Sequence, residues 1–194
     1  MKFADFLTES NTTDWREMQH AVIAPGRFNP PHLGHKLLLD TLSKLGESLN
    51  ATPVVIIVDA GKYDSRNPLT GETRKTYLSK MFPKMRYMIA HNPYEAVERL
   101  GSEFGMVPVG GVTGSDRADN YKKMVGRVYD EDLAKQYHAE ILHRDPDSHE
   151  DVAGISATKV RQAAAEGSVS KVRAMTGLGM DDAKEMIRLM KGVE

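Results

Sequence analysis

Two histidines three positions apart, His32 and His35, have the spacing in this chain that best suits chemistry on a phosphate group. They end the segment GRFNPPHLGH, which follows an apolar run and leads into a leucine-rich segment with helical spacing. On the first turn of a helix, residues three apart point to one side. The same turn exposes unpaired N–H groups at the positive end of the helix dipole. Two imidazoles and these backbone donors suit a polyphosphate, whose charge grows during displacement at phosphorus.

Simpler interpretations of the histidine pair stay open, because histidines at such a position often cap a helix or pack in a core. A zinc site lacks an evident third ligand, and the chain has no cysteine. The Gly-Lys-Ser/Thr ending of an ATPase P-loop is missing. Within the turn, Gly26 lets the main chain approach a ligand closely, and Pro30 and Pro31 stiffen it.

A second segment with phosphate-binding residue types is ISATKVR, residues 155–161. Ser156 and Thr158 place hydroxyl groups at a predicted helix N-terminus, where they can cap the helix or bind phosphate oxygens. Lys159 and Arg161 add positive charge, and a guanidinium can contact phosphate with two hydrogen bonds. The simpler interpretation is an N-cap followed by an ordinary helix.

Alternating strands and helices must position both segments. The sequence predicts strands over 20–24, 53–59, 86–90, 107–113 and 139–143. The run PVVIIVD is typical of a parallel strand that is buried on both faces. This alternation indicates an α/β fold, a Rossmann-like doubly wound parallel sheet with flanking helices. Such a sheet binds ligands beyond the carboxyl ends of its strands, which is where GRFNPPHLGH lies.

Four helices are predicted from apolar spacing and capping residues. A leucine stripe over 37–45 ends at Gly46, a C-cap candidate. Asn92, a proline and Glu95 resemble an N-cap, a first-turn proline and a capping-box acid, and open a helix to residue 100. Further helices are expected over 156–165, where Ser156 or Thr158 is the first residue, and over 181–190.

Composition indicates one soluble domain. Hydrophobic residues make up 40% of the chain and charged residues 27%, as in globular proteins. A net charge of −1 argues against a general attraction to nucleic acid. The lack of cysteine fits a reducing cytoplasm, and no apolar run could span a bilayer or serve as a secretory signal. We expect a cytoplasmic protein with an N-terminal arm over 1–19 and a domain over 20–194; oligomer formation stays open.

The two segments together resemble the motifs of the HxGH nucleotidylyltransferase superfamily. His32, Gly34 and His35 match its signature, and ISATKVR is similar to its distal Ile-Ser-Ser/Thr-Thr-x-x-Arg motif, with Ala157 in place of a hydroxyl residue. The resemblance implies three catalytic residues: His32, His35 and Arg161. The nucleotide contacts that it implies are Gly26, Arg27, Phe28, Gly34, Gly114, Ser115, Asp116, Arg117, Ile155, Ser156 and Thr158.

Two intermediate segments extend the resemblance. The segment GSDR, 114–117, is similar to the Gly-x-Asp element of this superfamily, although Ser115 or Asp116 could simply be an N-cap. The segment NPLTGETR, 67–74, is similar to the Asn-Pro-Phe-Thr stretch of archaeal-type nicotinamide mononucleotide adenylyltransferases, as is the opening GRF. It implies that Asn67, Pro68 and Arg74 bind the acceptor. The alternative is a surface turn before a helix capped by Thr70.

The activity implied is nucleotidyl transfer, in which an acceptor phosphate attacks the α-phosphate of a nucleoside triphosphate and releases pyrophosphate. The archaeal-type likeness favours ATP with nicotinamide mononucleotide, which gives NAD. However, GISATKVR also resembles an element of cytidylyltransferases, which favours CTP with a phosphorylated alcohol. In either case Mg²⁺ would be held mainly by the triphosphate, with no metal ligand from protein side chains.

A non-enzymatic alternative comes from the N-terminal arm. MKFADFLTES resembles leaders of proteins packaged in T-even-like phage heads, which are cut after a Leu-x-Glu pattern, here Leu7-Thr8-Glu9. GSDR and ISATKVR also resemble nucleotidyltransferases of large tailed phages. A virion component and a nucleotide-binding regulator without turnover therefore stand beside the enzyme, and a solvated arm is the simplest interpretation of residues 1–19.

Overall fold

A parallel sheet of five strands forms the centre of the described chain. The computed structural model describes residues 14–114, 117–142 and 154–192. The strands are β1 (Gln19–Gly26), β2 (Thr52–Val58), β3 (Arg86–Ala90), β4 (Met106–Thr113) and β5 (His138–Ile141). Their order in the sheet is β3-β2-β1-β4-β5, and all neighbours run parallel. The predicted Rossmann-like doubly wound α/β fold is confirmed.

The strand order creates one reversal point. The chain steps outward from β1 to β3 and then returns to β4 on the other side of β1. Connections on the two sides of such a point lead away from each other and leave a crevice at the carboxyl ends of the two strands. The segment GRFNPPHLGH (26–35), called the first motif below, follows β1, and Gly114 follows β4. Both therefore flank the crevice.

Helices cover both faces of the sheet. Among the described residues they are α1 (Lys36–Ser48), α2 (Gly71–Met81), α3 (Pro93–Phe104), α4 (Ala118–Val128), α5 (Glu131–Gln136), α6 (Ala157–Ala165), α7 (Val169–Thr176) and α8 (Met180–Lys191). Because side chains alternate along a strand, Val22 of β1 packs with α1 and α2, and Ile23 packs with α3, α4 and α5. Both residues are fully buried.

The last three helices form an apolar cluster of their own beside the sheet. Val160 of α6, Val172 of α7 and Met186 of α8 are buried in this C-terminal cluster. Leu69 and Tyr77, from the chain between β2 and β3, are buried in the same cluster. This packing brings the start of α6, and with it ISATKVR, back to the part of the sheet where β2 and α2 are joined.

Several element boundaries differ from the prediction. Gly46 is not a C-cap, because α1 continues to Ser48. A Cβ atom at Gly46 would lie 2.7 Å from the carbonyl oxygen of Ala51, so the glycine allows the chain to enter β2 close to the helix. Glu95 accepts a hydrogen bond from the main chain of His91 rather than from Asn92. The helices α5 and α7 were not predicted.

The N-terminal arm lies mostly outside the described residues. Residues 1–13, including the Leu7-Thr8-Glu9 pattern, are not described. Trp15–Glu17 forms a 3₁₀ turn capped by Asp14, and β1 already begins at Gln19, inside the expected arm. No helix in the described part of the chain is long and apolar enough to cross a membrane.

Candidate active site

The turn after β1 has a backbone shape that packs an aromatic ring under the first motif. Phe28 has a φ of 50°, in the left-handed region, and its side chain is buried. A Cβ atom at Gly26 would lie 2.8 Å from the Phe28 ring. Gly26 therefore makes room for this ring, a reason that the sequence did not reveal, in addition to bordering the crevice.

The two histidine rings stack on one another. The ring centroids of His32 and His35 are 3.8 Å apart, with an angle of 30° between their planes. Phe28 also packs against His35, with ring centroids 4.8 Å apart. Both histidines are less than one-tenth exposed. The prediction that the two imidazoles point to one side is confirmed, although His32 is an extended N-cap residue before the turn and not part of a helical turn itself.

His35 is fixed by the main chain of His32. Its Nδ1 lies 3.2 Å from the main-chain nitrogen of His32 and 3.1 Å from the carbonyl oxygen. In one tautomer Nδ1 accepts from the N–H group, and in the other it donates to the carbonyl. His35 thus caps the 3₁₀ turn Leu33–His35 that precedes α1. The capping interpretation is correct, and it also explains how the ring is held beside the crevice.

A cavity of about 430 Å³ occupies the crevice between β1 and β4. This volume is within the range of small-ligand sites. Apolar side chains, including Leu38 and Val112, line part of it. Ser115 and Asp116, two predicted nucleotide contacts, lie outside the described residues. Six predicted site residues line the cavity: Gly26, Arg27, Phe28, His35, Gly114 and Arg117.

ISATKVR (155–161), called the second motif, supplies the N-cap of α6 and a cation in the helix itself. Ser156 Oγ accepts a hydrogen bond of 3.3 Å from the main chain of Lys159, so Ser156 is the cap. The Arg161 guanidinium donates to Thr158 Oγ1 at 3.1 Å and to the carbonyl oxygen of Asn29 at 2.8 Å. The last contact joins the second motif directly to the first.

Gly34 and Ile155 bring the two motifs into backbone contact. A Cβ atom at Gly34 would collide with the carbonyl oxygen of Ile155 and lie 2.8 Å from Nδ1 of His32. Only glycine leaves enough room here. Gly34, His32 and the ISATKVR residues lie outside the lining of the 430 Å³ cavity and form the adjoining part of the site. The structure therefore assembles one site from segments about 120 residues apart in the sequence.

Positive charge accumulates around the second motif. Partial burial lowers the pKa of Arg161, the positive charges of Arg27 and Arg66 lower it further, and Asp64 opposes the shift. Cations that repel one another in the absence of a ligand are stabilised by a bound anion. Arg66 was not predicted as a site residue. Its position directly before Asn67 and Pro68 is the sequence feature from which it could have been found.

The predicted acceptor segment is held by internal contacts. Asn67 donates its main-chain N–H to Asp64 Oδ1 at 2.8 Å, and Pro68 is buried. Thr70 caps α2 through a hydrogen bond from Thr73, as the alternative interpretation expected. The segment before it is not a surface turn, however, because Pro68 and Leu69 are buried. These contacts leave the acceptor role of Asn67 and Pro68 as a prediction.

Arg74 is a buried structural cation rather than an exposed ligand. Only 2% of its side chain is exposed, and it forms an ion pair with Asp59 at 3.0 Å. Its guanidinium also donates to the carbonyl oxygens of Arg27, Val58 and Thr70. Arg74 therefore holds these three segments together, and its acceptor-binding role stays a prediction.

Asp59, at the carboxyl end of β2, is the counter-ion of Arg74. Burial raises the pKa of Asp59, but hydrogen bonds from the main chain of Gly61 and Gly71 and the charge of Arg74 lower it, and the net shift is downward. A second cavity of about 420 Å³ begins at Asp59 and extends along β3 beside Tyr63. Among the described residues, no three His, Asp or Glu side chains are grouped as a metal site requires.

A family comparison covers the part of the chain that contains both motifs. A model of the cytidylyltransferase-like family matches residues 23–166, which begin in β1 and end just after α6. The chain belongs to the cytidylyltransferase-like family. This protein is therefore a nucleotidylyltransferase, as its HxGH and ISATKVR segments implied. No curated protein sequence matches the chain significantly.

Solved structures share the fold of this cytidylyltransferase-like protein. One is nicotinic acid mononucleotide adenylyltransferase from Plasmodium falciparum complexed with NaAD, with a TM-score of 0.54 and 16% identity. The same protein complexed with APC gives a TM-score of 0.53, also at 16% identity. Both comparisons cover 89% of this chain and 98% of the other. At this identity the likeness establishes the common fold.

The first prediction concerns the Asp59–Arg74 pair. Replacing Asp59→Asn leaves the buried guanidinium without its counter-ion, and we expect the free energy of unfolding at pH 7 to fall by about 3 kcal/mol. Because the folded-state pKa of Asp59 is lowered, the pair contributes fully above the unfolded-state pKa of about 4 and loses its contribution as the pH falls through the folded value.

Urea unfolding of both proteins as a function of pH checks this expectation. The difference between wild type and variant should shrink below about pH 4. Asp40→Asn is the matched control, because Asp40 pairs with Lys36 on the exposed surface of α1 and should cost less than about 1 kcal/mol. An Asp59→Asn difference that stays constant with pH would contradict the assigned pKa direction.

The second prediction concerns the contact between the motifs. Gly34→Ala should separate Ile155 from the histidine turn and reduce nucleotidyl transfer by about 100-fold, as displacements near 1 Å do. Gly179→Ala is the control, because a Cβ atom there meets nothing within 4 Å. Pyrophosphate release and thermal unfolding should be measured together. A Gly34→Ala variant with wild-type turnover would show that the two motifs need not touch.

Proposed function

We propose that the protein transfers the adenylyl group of ATP to the phosphate of nicotinamide mononucleotide, forming NAD and pyrophosphate. The observation that carries this proposal is the contact between the two phosphate-binding motifs at Gly34 and Ile155, beside a cavity at the reversal point of the sheet. Membership in the cytidylyltransferase-like family supports the reaction class. The likeness of NPLT to the archaeal-type enzymes supports the acceptor.

In the proposed reaction, an oxygen of the acceptor phosphate attacks the α-phosphorus in line. The new O–P bond forms as the bond from the α-phosphorus to the bridging oxygen of the β-phosphate breaks, and pyrophosphate leaves. A phosphate monoester is already ionised at neutral pH, so the reaction needs no strong general base. Catalysis consists of positioning and of stabilising the charge that moves onto the leaving group.

The site residues divide between the phosphates. His32 and His35 would contact the α- and β-phosphates, and Ser156, Thr158 and Arg161 would hold the β- and γ-phosphates. Arg161 uses two of its five N–H groups on Asn29 and Thr158 among the described residues, so further donors are available to a ligand. The stacked imidazoles are already ordered, which reduces the entropy lost on binding.

The proposed reaction uses Mg²⁺ that would bind together with the triphosphate. The described residues that line the 430 Å³ cavity supply arginines, an imidazole and backbone groups, but no carboxylate. Mg²⁺ prefers carboxylate and phosphate oxygens. This donor set fits a metal ion that is held mainly by the phosphates, and the ion would neutralise charge on the departing pyrophosphate.

The second candidate is a cytidylyltransferase that uses CTP and a phosphorylated alcohol. The description of the matching family and the likeness of GISATKVR to the cytidylyltransferase element favour it. The motif contacts would serve either nucleotide, because they address phosphates. The choice therefore depends on the base and on the acceptor.

Pyrophosphate release tests the proposal. The purified protein with Mg²⁺ should be incubated with ATP or CTP, each combined with nicotinamide mononucleotide or a phosphorylated alcohol. We expect ATP with nicotinamide mononucleotide to give the highest rate. His35→Ala should lower that rate by about 100-fold or more, as loss of one charge-stabilising group does.

Lys44→Ala, an exposed change on α1, is the control and should retain the wild-type rate. A higher rate with CTP and a phosphorylated alcohol would replace the first candidate with the second. Binding of nucleotide without release from any pair would instead indicate the regulator. Wild-type turnover by His35→Ala would contradict the assigned site.

A further inference from the structure

Asn29 joins three segments of the site through one residue. Its side-chain Nδ2 donates to the carbonyl oxygen of Leu69 at 2.9 Å, and the main-chain N–H of Leu69 donates back to Asn29 Oδ1 at 3.1 Å. The main-chain carbonyl of Asn29 accepts from Arg161 at 2.8 Å. Asn29 is 6% exposed, so water competes little for these contacts.

Leu69 is held on both its main chain and its side chain. Its main-chain N–H and C=O groups are both paired with the Asn29 amide, and its side chain is 1% exposed within the C-terminal cluster that also buries Val160 of α6. A carboxamide can pair with both groups of one residue because it carries a donor and an acceptor. The Asn29 amide therefore pairs with the main chain of the predicted acceptor segment (67–70) through one donor and one acceptor, as a neighbouring strand would in a sheet.

We propose that Asn29 is a positioning residue that sets the affinity for the acceptor by holding the 67–70 segment in register with the phosphate site. This inference rests on the proposed function, and it divides the roles of one residue. The side chain of Asn29 orients the acceptor segment, whereas its main-chain carbonyl orients the Arg161 guanidinium on the triphosphate side. The side chain of Asn29 does not need to contact a substrate in order to act.

Substitutions separate the two roles. Asn29→Ala removes both hydrogen bonds to Leu69 but keeps the main-chain carbonyl that Arg161 contacts. Asn29→Asp has nearly the same volume and keeps the acceptor for the Leu69 N–H group, but it turns an oxygen toward the Leu69 carbonyl. The Asp variant therefore tests the same contact if the Ala variant does not fold.

The test is a kinetic comparison of both variants with the wild type. We expect the KM for the acceptor to rise by at least about tenfold, while the KM for the triphosphate stays within about threefold. Asp130→Ala is the matched control, since it removes the N-cap of α5, which precedes β5 at the amino-terminal edge of the sheet, and costs about 1 kcal/mol of stability. Its acceptor KM should equal that of the wild type.

Hydrogen exchange at the Leu69 amide gives a readout that does not require turnover. In Asn29→Ala this amide should exchange faster, while amides inside α2 keep their wild-type protection. An unchanged exchange rate at the Leu69 amide would overturn the proposal, whether or not the enzyme assay succeeds. Failure of the enzyme assay for every substrate pair would contradict the proposed function alone. An active wild type whose variants show an unchanged acceptor KM, or an equal rise in both KM values, would overturn it as well.

Discussion

The main chain at Gly34 lies so close to the carbonyl oxygen of Ile155 that no side chain fits between them. This contact fixes the distance between the stacked imidazoles and the hydroxyl and guanidinium groups that begin α6. The hydrogen bond from Arg161 to Asn29 fixes their relative orientation. A polyphosphate needs donors at a spacing set by its own geometry, so a site built from two distant segments depends on such a rigid contact.

The fold provides this contact through two separate packing arrangements. The reversal of strand order beside β1 opens the cavity and places the first motif at its edge. The C-terminal cluster then returns α6 to that edge, because Val160 shares its buried surroundings with Leu69. Leu69 in turn pairs with Asn29 of the first motif. Apolar burial therefore supplies the energy of the arrangement, and the amide pair supplies its register.

The sequence predicted features that depend on local patterns, and it missed those that depend on distant partners. The five strands and the caps at Asn92 and Ser156 follow from periodicity and from residue types near helix starts. Gly46 was misread because a glycine after a leucine stripe resembles a C-cap, whereas its actual cause is the chain entering β2. The burial of Arg74 and the pairing of Asn29 with a segment 40 residues away have no local signature.

Whether the two motifs form one site is tested most directly by a crystal structure with a bound nucleotide analogue. The analogue should be a non-hydrolysable form of whichever triphosphate supports turnover. Our expectation is that the base and sugar lie in the cavity between β1 and β4, with phosphate oxygens within hydrogen-bonding distance of both His35 and Arg161. Phosphates that contact only one of the two motifs, or a nucleotide bound elsewhere on the protein, would contradict it.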